Sequence, residues 1–146
     1  MKQILATTND TTLAICRLVL GIVFFIHGAQ ITLGWFGGYG FSGTMHFFTA
    51  QLGIPAVFAA LAILAQFLGG LGLIIGLLGR IAAFGITAVM LVAIVKVHIP
   101  VGFFMNWSGT QKGEGYEYHL LVLTLCLLIM VKGSGALSID RVLSNA

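Results

Sequence analysis

Charge is what this sequence has least of. Only 8% of its residues are charged, while 59% are hydrophobic, and a soluble globular domain uses roughly 25% charged residues. A water-facing surface cannot be built from so few charges. The seven basic residues are scattered along the chain, so the net charge of +3 does not indicate nucleic-acid binding. We therefore expect an integral membrane protein that binds no nucleic acid.

Cysteine is also scarce. Cys16 and Cys126 are the two cysteines, and each lies inside an apolar block without a C-x-x-C or ligand-like spacing. This placement disfavours a disulfide or a zinc site. We expect both thiols to be buried as small hydrophobic groups.

The apolar residues fall in four long blocks. Each approaches the roughly 20 residues that a helix needs to cross the hydrocarbon core, and lipid cannot satisfy loose backbone groups, so the blocks are predicted to be helices. The predicted spans are residues 13–33, 55–78, 80–99 and 116–132. The sequence therefore predicts one all-α domain over residues 1–146, an integral membrane four-helix bundle.

Four spans place both termini and the turn between the second and third helices on one side. That side collects the basic residues Lys2, Arg80, Lys132 and Arg141, whereas the other side has Lys112 and, at its border, Lys96. The positive-inside rule then predicts that both termini are cytoplasmic. The stretch after the first block lacks the small residues of a signal cleavage site, so we expect the first helix to be retained.

Glycine and aromatic residues give two further indications. Gly72-x-x-x-Gly76 is a small-x-x-x-small pattern, which favours close helix packing. Between the first two spans, a segment rich in glycine and aromatic residues is typical of the membrane interface. Within it Ser42 is a candidate N-cap, and residues 42–52 are predicted to form a short interfacial helix across the outer mouth of the bundle.

Polar side chains inside the spans are the best functional clue. An ionisable group there costs about 2.5–3.5 kcal/mol, so such groups tend to face the bundle interior and to mark function. Antiparallel packing brings the outer helix ends together, which predicts a polar pocket near the outer leaflet. The candidate pocket residues are His27, Gln30, His46, Gln66, Lys96, His98 and Glu117, with Trp35 and Phe103 as aromatic walls. Residues two apart on a helix face different ways, and we expect His98 and Glu117, rather than Lys96 and His119, to face the axis.

Three interpretations of this pocket stay open. A proton-coupled site for a quinone or similar ring would use His27 or His98 and Glu117 as proton partners. A metal site would use the same His27, His98 and Glu117, although no spacing such as H-x-x-x-H is present. Alternatively the groups pair among themselves, Lys96 with Glu117 and His27 with Gln66, and only hold the helices together.

Arg17 lies about one turn inside the first span. Its stem could extend to the cytoplasmic headgroups, or its guanidinium could pair with Asp140 and dock the C-terminal tail onto the bundle.

Motifs from about residue 12 to residue 141 carry a family resemblance. They are Arg17-Leu18-x-x-Gly21-x-x-Phe24-x-x-His27-Gly28, Gly69-Gly70-x-x-x-x-x-Gly76-Leu77-x-x-Arg80, Met90-x-x-Ala93 followed by His98 and Gly102-Phe103-Phe104, Gly115-Tyr116-Glu117-Tyr118-x-Leu120, and Gly133-x-Gly135-x-Leu137-Ser138-x-Asp140. In this order and spacing they resemble the DoxX family of small four-helix bacterial membrane proteins.

The resemblance implies an inner-membrane protein whose better-studied relatives are linked to membrane redox chemistry, including thiosulfate oxidation with quinone as acceptor and oxidative-stress complexes. Members often carry a glutamate just before the glycine pair of the second helix, where this chain has Gln66. If that carboxylate relays protons in relatives, Gln66 cannot do so.

We therefore expect a subunit in or beside a quinone-linked membrane redox process, with quinone as a possible ligand. No cofactor-binding motif is recognisable, so a partner or a bound molecule would supply electrons. A non-catalytic accessory or assembly subunit of a larger membrane complex is the alternative. A small-molecule permease is a third reading, and it would need a homo-oligomer, because four short spans leave little room for an aqueous path.

Overall fold

The computed structural model describes residues 2–145, and the regular elements in this range are all helical. The α-helices are α1 (Lys2–Leu5), α2 (Thr11–Leu33), α3 (Gly40–His46), α4 (Ala56–Ile75), α5 (Gly79–Ala93), α6 (Glu117–Lys132) and α7 (Ile139–Asn145). A 3-10 turn covers Trp35–Gly37, and π-helical turns extend α3 over Phe47–Gln51 and α5 over Ile94–His98. The predicted all-α helical membrane fold is confirmed.

Three of these helices are long and apolar enough to cross a bilayer. They cover Thr11–Leu33, Ala56–Ile75 and Gly79–His98. The fourth helix of the bundle, α6, has 16 residues, which is about 24 Å of helix against a hydrocarbon core of about 30 Å. That α6 also crosses the bilayer stays a prediction.

Close packing between α2 and α4 depends on glycine. A Cβ atom on Gly28 of α2 would overlap the backbone of Phe67, and a Cβ atom on Gly70 of α4 would overlap the backbone of Phe25. Only a hydrogen fits at these two positions, so the two backbones come into direct contact.

In the Gly72-x-x-x-Gly76 pattern, Gly76 packs closely against the segment before α7, since a Cβ atom there would overlap the Cβ of Ser138. Gly76 ends α4 in the left-handed conformation, with φ of 71°. Its N–H donates to the carbonyl of Gly72, and so does the N–H of Leu77, at 2.8 Å. This is the usual role of glycine at a helix C-terminus, and it lets the chain reverse into α5 within three residues.

The segment between α2 and α4 is helical, as predicted for residues 42–52, but it begins earlier. α3 starts at Gly40 after Tyr39, and no side chain caps it, so Ser42 is not its N-cap. The segment packs against both α2 and α4. It therefore covers the end of the bundle that is remote from the termini.

The core lies where α2, α4, α5 and α6 meet. Its largest buried side chains include Phe24, Leu73, Ile86 and Ile129. Outside this core the helices expose many large apolar side chains, for example Phe84, which is 66% exposed. Helices that are apolar on every side belong in lipid.

Arg17 is buried at the end of the bundle that carries the termini, and it is only 3% exposed. Its guanidinium donates to four backbone carbonyls. Two belong to the last turn of α4, Leu73 and Ile74, the latter at 2.9 Å. The other two precede α7, Ala136 at 3.4 Å and Leu137 at 3.1 Å. The prediction that Arg17 extends to the headgroups is therefore wrong.

Asp140 is buried beside this cluster, 1% exposed. Its carboxylate accepts from the backbone N–H groups of Leu78, at 2.7 Å, and Gly79, at 3.0 Å. The hydroxyl of Ser134 donates to the same carboxylate at 2.5 Å. Asp140 thus caps α5 instead of binding Arg17 directly, and the two residues dock the C-terminal segment by separate contacts.

Candidate functional site

A cavity of about 980 Å³ lies in the half of the bundle that is remote from the termini. It is bounded by the second half of α2, the segment from Phe47 to Ile54, the first half of α4, the second half of α5 with its π-helical turn, and the start of α6. Most of the lining is aliphatic or aromatic. The polar and titratable side chains of the lining are His27, Gln66, Lys96, His98, Glu114, Tyr118 and His119.

Two histidines meet in this lining. The ring centroids of His98 and His119 are 4.0 Å apart, and the ring planes are inclined by 46°. The Nδ1 atom of His98 lies 2.8 Å from the carbonyl oxygen of Glu114. Because a carbonyl can only accept, Nδ1 of His98 carries a proton, and in the neutral ring Nε2 is the acceptor.

His119 is the more deeply buried of the two, with 6% of its surface exposed. Its Nδ1 atom has no hydrogen-bond partner among residues 2–145. A buried polar atom without a partner costs about 1–3 kcal/mol, so such atoms are rare in folded proteins. Within residues 2–145 the hydroxyl of the neighbouring Tyr118, also in the lining, is likewise buried without a partner.

Glu117 has a different environment from the predicted one. Its carboxylate accepts from the backbone N–H of Met105, at 2.8 Å, and from Nε1 of Trp107, at 3.3 Å. It fastens the loop between α5 and α6, and it is not part of the cavity lining. The prediction that Glu117 rather than His119 faces the bundle axis is wrong.

The sequence carries only a weak signal for His119, because α6 is apolar on nearly every face. The buried residues of α6 are His119, Val122, Cys126 and Ile129, which follow one another at the spacing of one helix face.

Three more predicted residues do reach the cavity. His27, Gln66 and Lys96 all belong to the lining together with His98. Gln66 has one weak contact, from Nε2 to the carbonyl of Ala62 at 3.4 Å on its own helix. The convergence of polar side chains from different helices is thus present, with His119 added to it.

Four predicted pocket residues lie outside the lining: Gln30, Trp35, His46 and Phe103. The side chain of Gln30 donates to the carbonyl of Phe36 at 3.4 Å. Trp35 is 53% exposed. The aromatic walls are formed by other side chains, namely Phe24, Phe47, Phe48, Phe58 and Phe84.

Within residues 2–145 no three histidine, cysteine, aspartate or glutamate side chains lie close enough to hold a metal ion together. His27, His98 and Glu117 therefore do not form one ligand set there. What the site offers is imidazole, amide and ammonium groups on the wall of an apolar cavity. Such a site suits an apolar molecule that carries a few hydrogen-bonding atoms.

Comparison with known proteins agrees with the architecture. The family model described as DoxX matches residues 12–99, which is more than half of the chain. Inner membrane protein YqjF of Escherichia coli is 29% identical over 137 residues, which cover 94% of this chain and 95% of that protein. The Bacillus subtilis protein named "Putative oxidoreductase CatD" is 28% identical over 124 residues, 85% of this chain and 81% of that protein. No solved structure matches the chain. This chain belongs to the DoxX family of membrane proteins.

Proposed function

We propose that this chain is an inner-membrane protein that binds a quinone or a similar ring in the cavity, and that it works in or beside a quinone-linked redox process. The observation that carries the proposal is the pair of His98 and His119, which lies on the wall of a large apolar cavity inside a membrane bundle.

The size and polarity of the cavity support a lipid-soluble ring. Ligand pockets of about 300–1,000 Å³ bury most of a drug-sized ligand and place a few polar groups on an otherwise apolar wall. At about 980 Å³ the cavity is at the upper end of that range. Its aromatic side chains suit the faces of a flat ring.

The two imidazoles give the site hydrogen-bonding and proton-carrying groups. Reduction of a quinone to a quinol takes two electrons and two protons, and its carbonyl oxygens become hydroxyl groups. Imidazole can donate to a carbonyl oxygen or accept from a hydroxyl, so it suits both forms. Electrons would come from a partner protein, because the sequence has no recognisable cofactor motif.

The names of the two relatives support different parts of the proposal, one the location and the other the type of reaction. The name of YqjF gives the inner membrane, and that of CatD gives oxidoreductase as a suggested activity. The positive-inside rule favours cytoplasmic termini, which would put the cavity near the outer leaflet.

The test measures decylubiquinone binding by the purified protein in dodecyl maltoside. Quinone retained by the protein after gel filtration is extracted and quantified across a titration. The variant is His119→Phe, which keeps an aromatic ring of similar size and removes both nitrogens. The control is His46→Phe, because His46 is exposed and lies outside the cavity lining. We expect His119→Phe to weaken binding at least tenfold, and His46→Phe to change it less than twofold.

Equal binding by His119→Phe and the unmodified chain, or no binding by either, contradicts the proposal. If the chain binds no quinone but co-purifies with a larger membrane complex, the accessory-subunit hypothesis is favoured instead. Transport by the protein in liposomes would favour the permease.

A further inference from the structure

An apolar groove lies on the surface where α4 and α5 pack against each other. Its volume is about 330 Å³, and every residue that lines it is leucine, isoleucine, alanine or glycine. Along α4 it extends from Leu61 to Gly72, which is about 16 Å of helix. Several lining residues are small, so the groove lies between helices that approach closely.

The groove adjoins the cavity at a junction of three shared residues. Leu61, Ala65 and Gly85 line both. A Cβ atom on Gly85 would lie 3.2 Å from the Cβ of Ala65, so any larger side chain here would narrow the junction. The cavity with the paired histidines and the groove that extends toward the turn between α4 and α5 therefore lie next to each other.

Polar side chains are distributed unequally between the cavity and the groove. The cavity contributes His98 and His119, and the groove contributes apolar surface alone. His119 is more than nine-tenths buried and its Nδ1 has no partner among residues 2–145. A molecule that satisfies both parts has a polar end and a hydrocarbon chain.

We propose that the ligand of this site is a chain-bearing amphiphile, with its polar ring beside His119 and its hydrocarbon chain in the groove between α4 and α5. This inference rests on the proposed function, because that function places the ring in the cavity. It adds that the chain determines affinity, and that the ligand enters sideways from the bilayer. The exposed side chains of Phe58 and Phe84, which also line the cavity, lie on these same two helices.

The test compares two quinones that share a ring. Decylubiquinone has a ten-carbon chain, and 2,3-dimethoxy-5-methyl-1,4-benzoquinone has none. The variant is Leu64→Trp, which places a bulky side chain in the groove and outside the cavity lining. Leu64 is 43% exposed, so the larger side chain can be accommodated without disturbing the core. The control is Leu71→Trp, because Leu71 is on the same helix, is 40% exposed, and lines neither the cavity nor the groove.

We expect the unmodified protein to bind decylubiquinone at least tenfold more tightly than the chainless ring. Leu64→Trp should reduce this preference to less than threefold, while the affinity for the chainless ring changes less than twofold. Leu71→Trp should keep the full preference. Since each quinone partitions into the detergent equally in all three samples, the comparison between proteins is free of that contribution.

Equal binding of the two quinones by the unmodified protein overturns the inference and leaves the proposed function standing. A preference that persists in Leu64→Trp also overturns it, since the groove then holds bilayer lipid only. Failure of both quinones to bind overturns the proposed function together with the inference.

Discussion

The ring centroids of His98 and His119 are 4.0 Å apart, and the two imidazoles have different hydrogen-bonding environments. His98 is fastened through Nδ1 to the carbonyl of Glu114. His119 has no partner for its own Nδ1. One ring is therefore held by the protein, and the other has an unused hydrogen-bonding atom. A buried polar atom without a partner reduces stability, so such atoms tend to be found where a ligand binds.

This difference predicts opposite effects on stability. His119→Phe should leave the free energy of unfolding unchanged or raise it by about 1 kcal/mol, because it removes a buried polar atom that has no partner. His98→Phe should lower it by about 1 kcal/mol, because it removes the bond to the carbonyl of Glu114. Reversible unfolding in mixed micelles measures both. A large loss of stability in His119→Phe would show that its nitrogens are bound within the protein.

We expect Glu117 to stabilise the loop between α5 and α6 and to have no effect on ligand binding. Glu117→Gln keeps the shape of the side chain but weakens the charge-assisted bonds to Met105 and Trp107. We expect backbone amides of residues 102–115 to exchange with deuterium at least five times faster. Decylubiquinone binding should change less than twofold. The matched comparison is His119→Phe, for which we expect the reverse: weakened binding, and loop exchange as in the unmodified chain.

Hydropathy predicted the four apolar helices, because the length and composition of a membrane helix are properties of a continuous segment. Rotation about the helix axis is not such a property. α6 is apolar nearly all round, so its sequence gives little indication of which face is buried. The first turn of α6 is set by the loop that Glu117 binds, and this contact turns His119, not Glu117, toward His98.

The partners of Arg17 could not be predicted for a related reason. Two of its acceptors are more than 50 residues away and two are about 120 residues away. All four are backbone carbonyls, which every residue possesses, so no side-chain pattern identifies them. Asp140 is an acidic residue at the same end of the bundle, but its carboxylate caps α5 instead.

The contact between α2 and α4 predicts an unequal response to alanine. Gly28→Ala should be strongly destabilising, because its Cβ would overlap the backbone of Phe67 and the helices would have to separate. Gly69→Ala is the matched control. There the nearest atoms to an added Cβ, from Ala82 and Ile86, are 3.7 Å away, which is ordinary contact.

We expect Gly28→Ala to cost about 2 kcal/mol or more, within the range for overpacked cores. Gly69→Ala should be neutral or slightly stabilising, because alanine favours helix over glycine. Thermal unfolding in detergent compares the two. Equal midpoints for both variants would mean that α2 and α4 do not approach as closely as described.

We expect Arg17 to stabilise the end of the bundle that carries the two termini. Arg17→Met keeps an apolar stem and removes all five donors, so four backbone carbonyls lose their partner. We expect a loss of roughly 3 kcal/mol, since each buried acceptor left unpaired costs about 1–3 kcal/mol and relaxation recovers part of it. Lys132→Met serves as the control, because Lys132 is exposed.

Arg17→Lys separates charge from geometry. An ammonium is a compact point charge and cannot reach the carbonyls of α4 and those before α7 together as the planar guanidinium does. Stability should therefore fall between that of the unmodified chain and that of Arg17→Met. Full stability in Arg17→Lys would show that charge alone is what this site needs.

Loss of the charge on Asp140 should lower the free energy of unfolding more than the same change at an ordinary helix cap. Its two oxygens accept from Leu78, Gly79 and Ser134. In Asp140→Asn one oxygen becomes an NH2 group and faces a donor, so at least one of these bonds is lost. Asp10→Asn is the matched control, because the exposed side chain of Asp10 accepts one bond, from the N–H of Leu13 at 3.0 Å. Asparagine caps helices about as well as aspartate.

We expect Asp140→Asn to lower the free energy of unfolding by about 1–3 kcal/mol, the usual range for a charge-assisted bond left unmade. Asp10→Asn should change it by less than about 0.5 kcal/mol. Hydrogen exchange gives a second measurement, because faster exchange should be confined to α7 and the first turn of α5. Similar losses for the two variants would mean that Asp140 is no more than a surface cap, and that the C-terminal segment is docked through Arg17 alone.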